Sequence, residues 1–206
     1  MAEYNALAYC PDKPSAEAMS HSTLLSGVFA IDYHVNHRNF VYLIGHNPIQ
    51  ETVFVTFRGT IGAWSNLEAD IKQKRIKPKL SSDISSEHFA VTNCKGCGIH
   101  SGFHDVIQEL RSDSGLFNKI MEVAKRYPKY SLVISGNSMG GSLAFLAAFY
   151  LTLEAPEVKI SQVYMVCCCY CCFCLCALRC GVDPDQVYMN AIIYCSLRGP
   201  RQIRIE

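Results

Sequence analysis

A glycine-rich corner around Ser138 carries the clearest chemical pattern in this chain. In order, the corner contains Gly136, Asn137, Ser138, Met139, Gly140 and Gly141. Small residues two positions before and after a serine permit the tight strand-to-helix turn that holds its hydroxyl above a sheet, with a helix N-terminus pointing at it. An apolar strand at 130–135 and an Ala- and Leu-rich helix at 142–154 flank the corner. The pattern therefore predicts that Ser138 is a nucleophile; a glycine-rich turn without chemistry is the alternative.

A second pattern lies upstream, where an apolar strand ends. Residues 52–57 are β-branched or aromatic, and Arg58, Gly59 and Thr60 follow them as a turn. A serine that attacks an ester carbonyl needs N–H donors aimed at the developing oxyanion: one from the residue after the nucleophile, one from a loop after an earlier strand. Met139 and Thr60 stand at those two positions. An Arg-Gly-Thr surface turn is the alternative.

The elements that must position these residues alternate along the chain. Apolar runs at 39–44, 52–57, 130–135 and 187–194 predict strands. Apolar residues at helical spacing over 103–127 predict a helix with a break at Gly115, and Pro128 ends it. This alternation indicates an α/β fold, in which a mainly parallel sheet is covered by helices on both faces.

Composition excludes several functional classes. The chain has 206 residues, of which 50% are hydrophobic and 18% charged, with a formal net charge of +1. This is typical of a single globular domain and argues against nucleic acid as a partner. The basic cluster at 72–79 favours a solvated loop face over an anionic docking site. No spacing of metal ligands stands out, and we expect neither a metal nor another cofactor.

A cysteine-rich apolar segment at 163–182 does not fit the alternation. Eight of the 12 cysteines fall between Cys167 and Cys180. We interpret the segment as an insertion between a helix and the next strand. Three alternatives stay open: a spanning helix, although its uncharged core of 16 residues is shorter than the ~20 that a bilayer needs; an S-acylated anchor; and a metal cluster.

Five motifs in one order carry a resemblance to a known family. They are Arg58–Thr60, then Asn66, Leu67 and Asp70, then Cys94 and Cys97, then His100–Phe103, and then 136–141. Together they resemble the fungal-type class 3 (triacylglycerol) lipases, and residues 7–10 and 192–201 are similar to further parts of that domain. The resemblance implies an α/β-hydrolase fold. We expect residues 1–206 to form one partial domain, truncated after the strand that follows the nucleophile helix.

The resemblance also implies roles for particular residues. Ser138 would be the nucleophile, with Thr60 and Met139 forming the oxyanion hole. Residues 61–67, with Trp64 at the tip, would form a lid that opens at a lipid surface; a half-buried loop anchor is the alternative for Trp64. Cys94 and Cys97 would form a tight disulfide, and Cys10 is similar to a cysteine that family members pair near their C-terminus. Asn137 stands where the family usually has histidine.

The rest of a catalytic triad is not evident. In this fold the acid and the base follow the nucleophile, whereas all seven histidines precede Ser138. Asp183 and Asp185 come before the late strand, so we carry the acid onto neither. His100 and His104 are candidates for the base, but structural histidines are the favoured interpretation.

The sequence thus predicts a serine hydrolase of lipid carboxylic esters that acts through an acyl-serine intermediate. A catalytically inactive protein that binds lipid or a partner is the alternative. The expected partner is a lipid ester or a lipid interface. Many relatives are secreted, but no secretory signal pattern is visible after Met1. Localisation and oligomeric state therefore stay open, as does membrane contact through 163–182.

Overall fold

The computed structural model of the chain describes residues 2–20, 29–59, 75–76, 99–167, 189–195 and 199–205. Five helices lie in these ranges: α1 (Ala2–Leu7), α2 (Lys13–Ser20), α3 (Ser101–Ser112), α4 (Leu116–Arg126) and α5 (Met139–Glu154). Nine strands lie there as well: β1 (Ala30–His37), β2 (Phe40–Asn47), β3 (Thr52–Phe57), β4 (Arg75–Ile76), β5 (Ile99–His100), β6 (Ser131–Asn137), β7 (Ile160–Cys167), β8 (Met189–Cys195) and β9 (Gly199–Ile205).

Seven strands form one mixed sheet in the order β1-β2-β3-β6-β7-β8-β9. The inner pairs β3–β6, β6–β7 and β7–β8 are parallel, and the pairs at both edges are antiparallel. Strand β3 lies directly beside β6, with Phe57 opposite Gly136. Because the two strands are parallel, the loops that leave their carboxyl ends emerge side by side.

Helices cover both faces of the sheet, as the sequence predicts. On one face, α3, α4 and α5 pack over Val53, Val55 and Phe57, whose side chains are buried in the main core. Phe54, which stands between Val53 and Val55 in the sequence, lies on the other face of the sheet. There it belongs to a second cluster with Tyr4 of α1 and Phe29. The Tyr4 and Phe54 rings stack with their centroids 4.2 Å apart. This period-two alternation is the expected consequence of β geometry.

Most predicted elements are confirmed within a few residues. The predicted strands at 39–44, 52–57, 130–135 and 187–194 correspond to β2, β3, β6 and β8, and the helix at 142–154 corresponds to α5. The predicted break at Gly115 separates α3 from α4. Its φ of 67° lies in the left-handed region that glycine adopts without a steric penalty.

Five strands of the described ranges have no counterpart in the sequence prediction: β1, β4, β5, β7 and β9. Strand β1 was not predicted, and β7 is the strand that follows α5, in the place assigned to the strand at 187–194. Residues 163–167 therefore belong to a sheet strand, so interpreting the whole of 163–182 as an insertion was wrong for those five residues. The sheet also continues through β7, β8 and β9 after α5, where one strand was expected.

Residues 168–182, with most of the cysteines, lie outside the described residues. In the described part of the chain, no helix combines the length and the apolar character needed to cross a bilayer.

Candidate active site

Ser138 sits at the junction between β6 and α5, in a backbone conformation that side chains rarely adopt. Its φ of 54° and ψ of −121° fall outside the broad allowed regions for residues with a Cβ. Hydrogen bonds hold this turn on both sides: Ser138 N donates to Val166 O of β7 at 2.7 Å, and Gly141 N donates to Ser138 O at 2.9 Å. Strained residues of this kind cluster at functional sites, so the geometry agrees with the predicted strand-to-helix corner.

Two glycines allow this corner to pack tightly. A Cβ built on Gly136 would lie 2.0 Å from Gly140 O, which is far inside van der Waals contact. A Cβ on Gly140 would lie 2.3 Å from Phe57 O and 2.8 Å from Arg58 O. The corner therefore rests directly on the backbone at the end of β3. The spacing of glycines around Ser138 is explained by these close backbone contacts.

Of the two predicted oxyanion donors, Met139 lies within the described residues and Thr60 lies outside them. Met139 is the first residue of α5 and is 5% exposed. Its backbone lies at the helix terminus, where N–H groups and the helix dipole favour negative charge. Thr60 lies outside the described residues, but its neighbour Gly59 is buried beside the corner. A Cβ on Gly59 would lie 2.6 Å from Asn137 O. The roles of Thr60 and Met139 stay predictions.

Tyr9, between α1 and α2, contacts both loops of the site. Asn137 Nδ2 donates a hydrogen bond to Tyr9 Oη at 3.0 Å, and Tyr9 Oη lies 2.8 Å from the Cβ position of Gly59. The tyrosine is 37% exposed, so it lies at the surface of the site. The sequence analysis missed this contact, because the two residues are 128 positions apart.

We predict a small stability effect for Tyr9→Phe. The substitution removes the hydroxyl that accepts from Asn137 and keeps the ring. Because water can reach the amide in this partly exposed place, the free energy of unfolding should fall by about 1 kcal/mol or less. Urea denaturation of the 206-residue chain measures the difference. A loss of several kcal/mol would instead indicate that Tyr9 organises the N-terminal helices as a whole.

The candidate bases His100 and His104 are both buried. His100 precedes α3 as its N-cap, is 7% exposed, and has its ring centroid 4.8 Å from that of Phe103. Burial lowers the pKa of His100 because desolvation disfavours the imidazolium. His104 is 4% exposed, and its Nδ1 lies 3.3 Å from Asp105 Oδ1. His104 Nε2 is buried and has no hydrogen-bond partner among the described residues. A structural role for both histidines stays the favoured interpretation, with a catalytic role as the alternative.

Several predicted features lie outside the described residues. They are the lid at 61–67 with Trp64, the cysteine pair Cys94 and Cys97, and the late aspartates Asp183 and Asp185. Cys10 is described and buried, at 8% exposure. Burial, with a smaller contribution from the charge of Asp12, raises the pKa of the Cys10 thiol.

One group of side chains in the described ranges could bring three metal ligands together. Suitable atoms of His37, Glu109 and Asp113 lie within 4.8 Å of one another. The group is already occupied by internal contacts, since His37 Nε2 is 2.8 Å from Glu109 Oε1 and Arg38 Nη1 is 3.1 Å from the same oxygen. We interpret it as an ion-pair network that fastens the β1–β2 turn to α3.

Comparison with known proteins finds a protein family that matches the part of the chain around Ser138. A family model described as Lipase (class 3) matches residues 54–170, a range that includes Ser138. The chain is 29% identical over 167 residues to a secreted mono- and diacylglycerol lipase of Gibberella zeae, covering 73% of this chain and 38% of that protein. It is 23% identical over 123 residues to a lipase of Rhizomucor miehei, covering 60% of this chain and 30% of that protein.

Solved structures show the same fold. A triacylglycerol lipase whose catalytic centre is described as a serine protease triad superposes with a TM-score of 0.59 at 18% identity, covering 93% of this chain and 69% of that one. A triacylglycerol lipase from Penicillium expansum gives 0.55 at 20% identity, covering 81% and 56%. Across five of the curated relatives that it matches, the chain spans between 20% and 38% of the relative's length.

Proposed function

The chain belongs to the class 3 lipases, and from this membership we propose that it is part of a serine hydrolase that cleaves the carboxylic esters of lipids. The observation that carries the proposal is the strained Ser138 corner between β6 and α5, which rests on the end of β3. The acylglycerol lipases among its relatives favour acylglycerols as the substrate class.

The proposed reaction proceeds through an acyl-serine. Ser138 Oγ attacks the ester carbonyl carbon, and its proton passes to a general base. The carbonyl oxygen then carries negative charge, which the N–H groups of Met139 and Thr60 would stabilise from the two adjacent loops. The alcohol leaves with a proton from the same base, and water hydrolyses the acyl-serine to release the carboxylic acid.

The base must be a histidine held by a carboxylate, and in α/β-hydrolase folds both follow the nucleophile along the chain. All seven histidines of this chain precede Ser138, so we assign the base to none of them. The proposal for the nucleophile does not depend on that assignment, because the backbone contacts that shape the corner all lie between Phe57 and Val166.

A lipid interface would contribute to substrate selection. We propose that residues 61–67, with Trp64, cover the site in water and open at a lipid surface, since opening such a lid exposes apolar area that water disfavours. The exposed tyrosine Tyr9 lies beside Gly59, which comes two positions before this segment along the chain. Hydrolysis would then be faster on dispersed lipid than on a soluble ester of similar reactivity.

The test is release of carboxylic acid by the 206-residue chain, beside a Ser138→Ala chain. Dispersed triacylglycerol, monoacylglycerol and a soluble short-chain ester serve as substrates, and released acid is titrated at constant pH. Release that depends on Ser138 and is faster on the dispersed lipids supports the proposal. Equal release by both chains would overturn it, and binding to dispersed lipid without release would favour a lipid-binding protein without turnover.

A further inference from the structure

Strands β7 and β8 end on two cysteines that stand opposite each other in the sheet. The strands run parallel, and their register pairs Cys167 with Cys195. Neighbouring strands lie about 4.7–4.9 Å apart. Two cysteines form a disulfide when their Cα atoms are roughly 4.4–6.8 Å apart. The sheet therefore places the backbone of this pair at a separation that suits a disulfide, although the two residues are remote from each other along the chain.

The neighbouring strands leave this pair of positions uncrowded on the β9 side and place it beside the candidate active site on the β6 side. On β9, the residue paired with Cys195 is Gly199, which has no side chain. On the β6 side, the register ends with Asn137 opposite Val166. Cys167 therefore stands one position beyond that pair, level with Ser138.

A backbone hydrogen bond couples the end of β7 to the Ser138 corner. Ser138 N donates to Val166 O at 2.7 Å, and Val166 directly precedes Cys167. The carboxyl ends of parallel strands meet at the same edge of a sheet. A covalent bond between Cys167 and Cys195 would thus join the end of β8 to the strand that holds the nucleophile corner.

The fold distinguishes Cys167 from the cysteines that follow it. Further cysteines crowd the sequence from Cys168 to Cys180, and in an unfolded chain each of them could meet Cys195. In the sheet, Cys167 is the residue whose backbone stands opposite Cys195. Register rather than sequence spacing therefore selects this pair.

We propose that Cys167 and Cys195 form a reversible disulfide that joins the carboxyl ends of β7 and β8 beside the Ser138 corner. The oxidant is a small disulfide such as oxidised glutathione. One cysteine thiolate attacks its S–S bond, which gives a mixed disulfide and releases one glutathione thiolate. The other cysteine thiolate attacks the mixed disulfide at the protein sulfur and releases the second. The protein pair loses two electrons and two protons, and the oxidant gains both.

Fragment mapping tests whether the bond forms. The reduced 206-residue chain is treated with oxidised glutathione, and the remaining thiols are alkylated. Cyanogen bromide cleaves after Met165 and Met189, so fragment 166–189 carries Cys167, and fragment 190–206 has Cys195 as its single cysteine. Mass spectrometry should find the two fragments joined, and separate after reduction with dithiothreitol. Recovery of Cys195 mainly as the alkylated thiol would overturn the proposal.

Two variants assign the partner of Cys195. Cys167→Ser should lower the yield of joined fragments by at least about tenfold, because serine has no sulfur to form the bond. Cys168→Ser, at the next position along the chain, is the matched control and should leave the yield unchanged. Circular dichroism checks that both variants fold. Oxidation in concentrated urea should remove the difference between them. Equal yields from the two folded variants would overturn the assignment to Cys167.

The bond should also stabilise the fold. It closes the loop 168–194 in the unfolded chain, which lowers the entropy of that state. Oxidation should therefore raise the urea concentration at which the chain unfolds, and this rise should be absent in Cys195→Ser. An equal rise in Cys195→Ser would show that other cysteines cause it and would overturn the stabilising role of this pair.

The disulfide goes beyond the proposed hydrolysis and does not depend on it. Ser138→Ala should give the same yield of joined fragments as the unsubstituted chain. Joined fragments in a chain that releases no carboxylic acid would support the disulfide and contradict the hydrolase. Separate fragments in a chain that does release acid would do the reverse, so failure of one proposal is distinguishable from failure of the other.

Discussion

Replacing Ser138 by alanine is expected to abolish covalent labelling of the 206-residue chain by a fluorophosphonate. In the labelling reaction, Ser138 Oγ forms a bond to phosphorus, the phosphorus–fluorine bond breaks, and the serine proton passes to a base. Alanine has no oxygen to form this bond. Removing the nucleophile of a serine hydrolase costs about 10⁴-fold or more in rate, so labelling at this position should fall below detection.

Ser131→Ala is the matched control for this experiment. Ser131 begins β6, the strand that ends at Asn137, and it is exposed at the opposite end of that strand. Its Oγ lies 3.5 Å from Thr52 Oγ, so the substitution removes at most one weak contact. Labelling in this variant should match the unsubstituted chain. If labelling persisted in Ser138→Ala, another residue would be the reactive group.

The labelling of the unsubstituted chain shows whether Ser138 is activated by a base within these residues. Labelling of Ser138 requires that a base within the folded chain accepts its proton. Labelling would therefore direct attention to the buried histidines, with His100→Gln and His104→Gln as the next variants. No labelling of the unsubstituted chain would contradict an activated nucleophile in this chain and would favour lipid binding without turnover.

The Ser138 corner shows how much of the candidate site could be predicted from the sequence. The sequence motif specifies a local structure, because Gly136 and Gly140 are each required by a backbone contact, either within a few residues or at the end of the adjacent strand. Gly136 meets Gly140 only four positions later. Such local constraints are visible in a single sequence. The roles that the resemblance assigns to Thr60, Trp64, Cys94 and Cys97 are not tested, because these residues lie outside the described ranges.

Strands β1 and β7 show two reasons why a strand could not be predicted from the sequence. In β1 a register shift separates Ile31 from Tyr33. Ile31 therefore packs in the second cluster, and Tyr33 and Val35 pack against the main core, which a regular period-two alternation does not predict. In β7, the strand residues run into the cysteine-rich segment without a polar break. Hydropathy alone cannot divide such a run into strand and insertion, because both parts are equally apolar.

The contact between Tyr9 and Asn137 illustrates a different limit. Neither residue has a local pattern that indicates its partner, because the contact depends on where α1 packs against the sheet. Asn5 of that helix accepts a hydrogen bond from the buried Thr56 hydroxyl at 2.8 Å, which helps to set the position of α1 beside β3. Tertiary packing of this kind follows from the whole fold and can be read only from the structure.

Gly140→Ala is expected to destabilise the chain and to displace the predicted oxyanion loop, whereas Gly141→Ala is not. Both glycines lie in the first turn of α5, so alanine gains the same helix propensity of about 1 kcal/mol at each. At Gly140 the new Cβ would lie 2.3 Å from Phe57 O and 2.8 Å from Arg58 O. Both neighbours are backbone atoms, so α5 and the end of β3 must move apart. We expect a loss of about 3 kcal/mol or more in the free energy of unfolding.

At Gly141 the nearest atoms are Gly136 O at 3.3 Å and Met165 Cβ at 3.4 Å. Shifts of a few tenths of an ångström relieve these contacts, so Gly141→Ala should change stability by about 1 kcal/mol or less. Urea denaturation of the two variants measures the difference, and fluorophosphonate labelling of the folded fraction reports on the site. Because Arg58 leads into Gly59 and Thr60, Gly140→Ala should also slow labelling of any folded protein. Equal stability and equal labelling of the two variants would show that the end of β3 adapts freely to α5, and that the close approach of Gly140 does not hold the oxyanion loop in place.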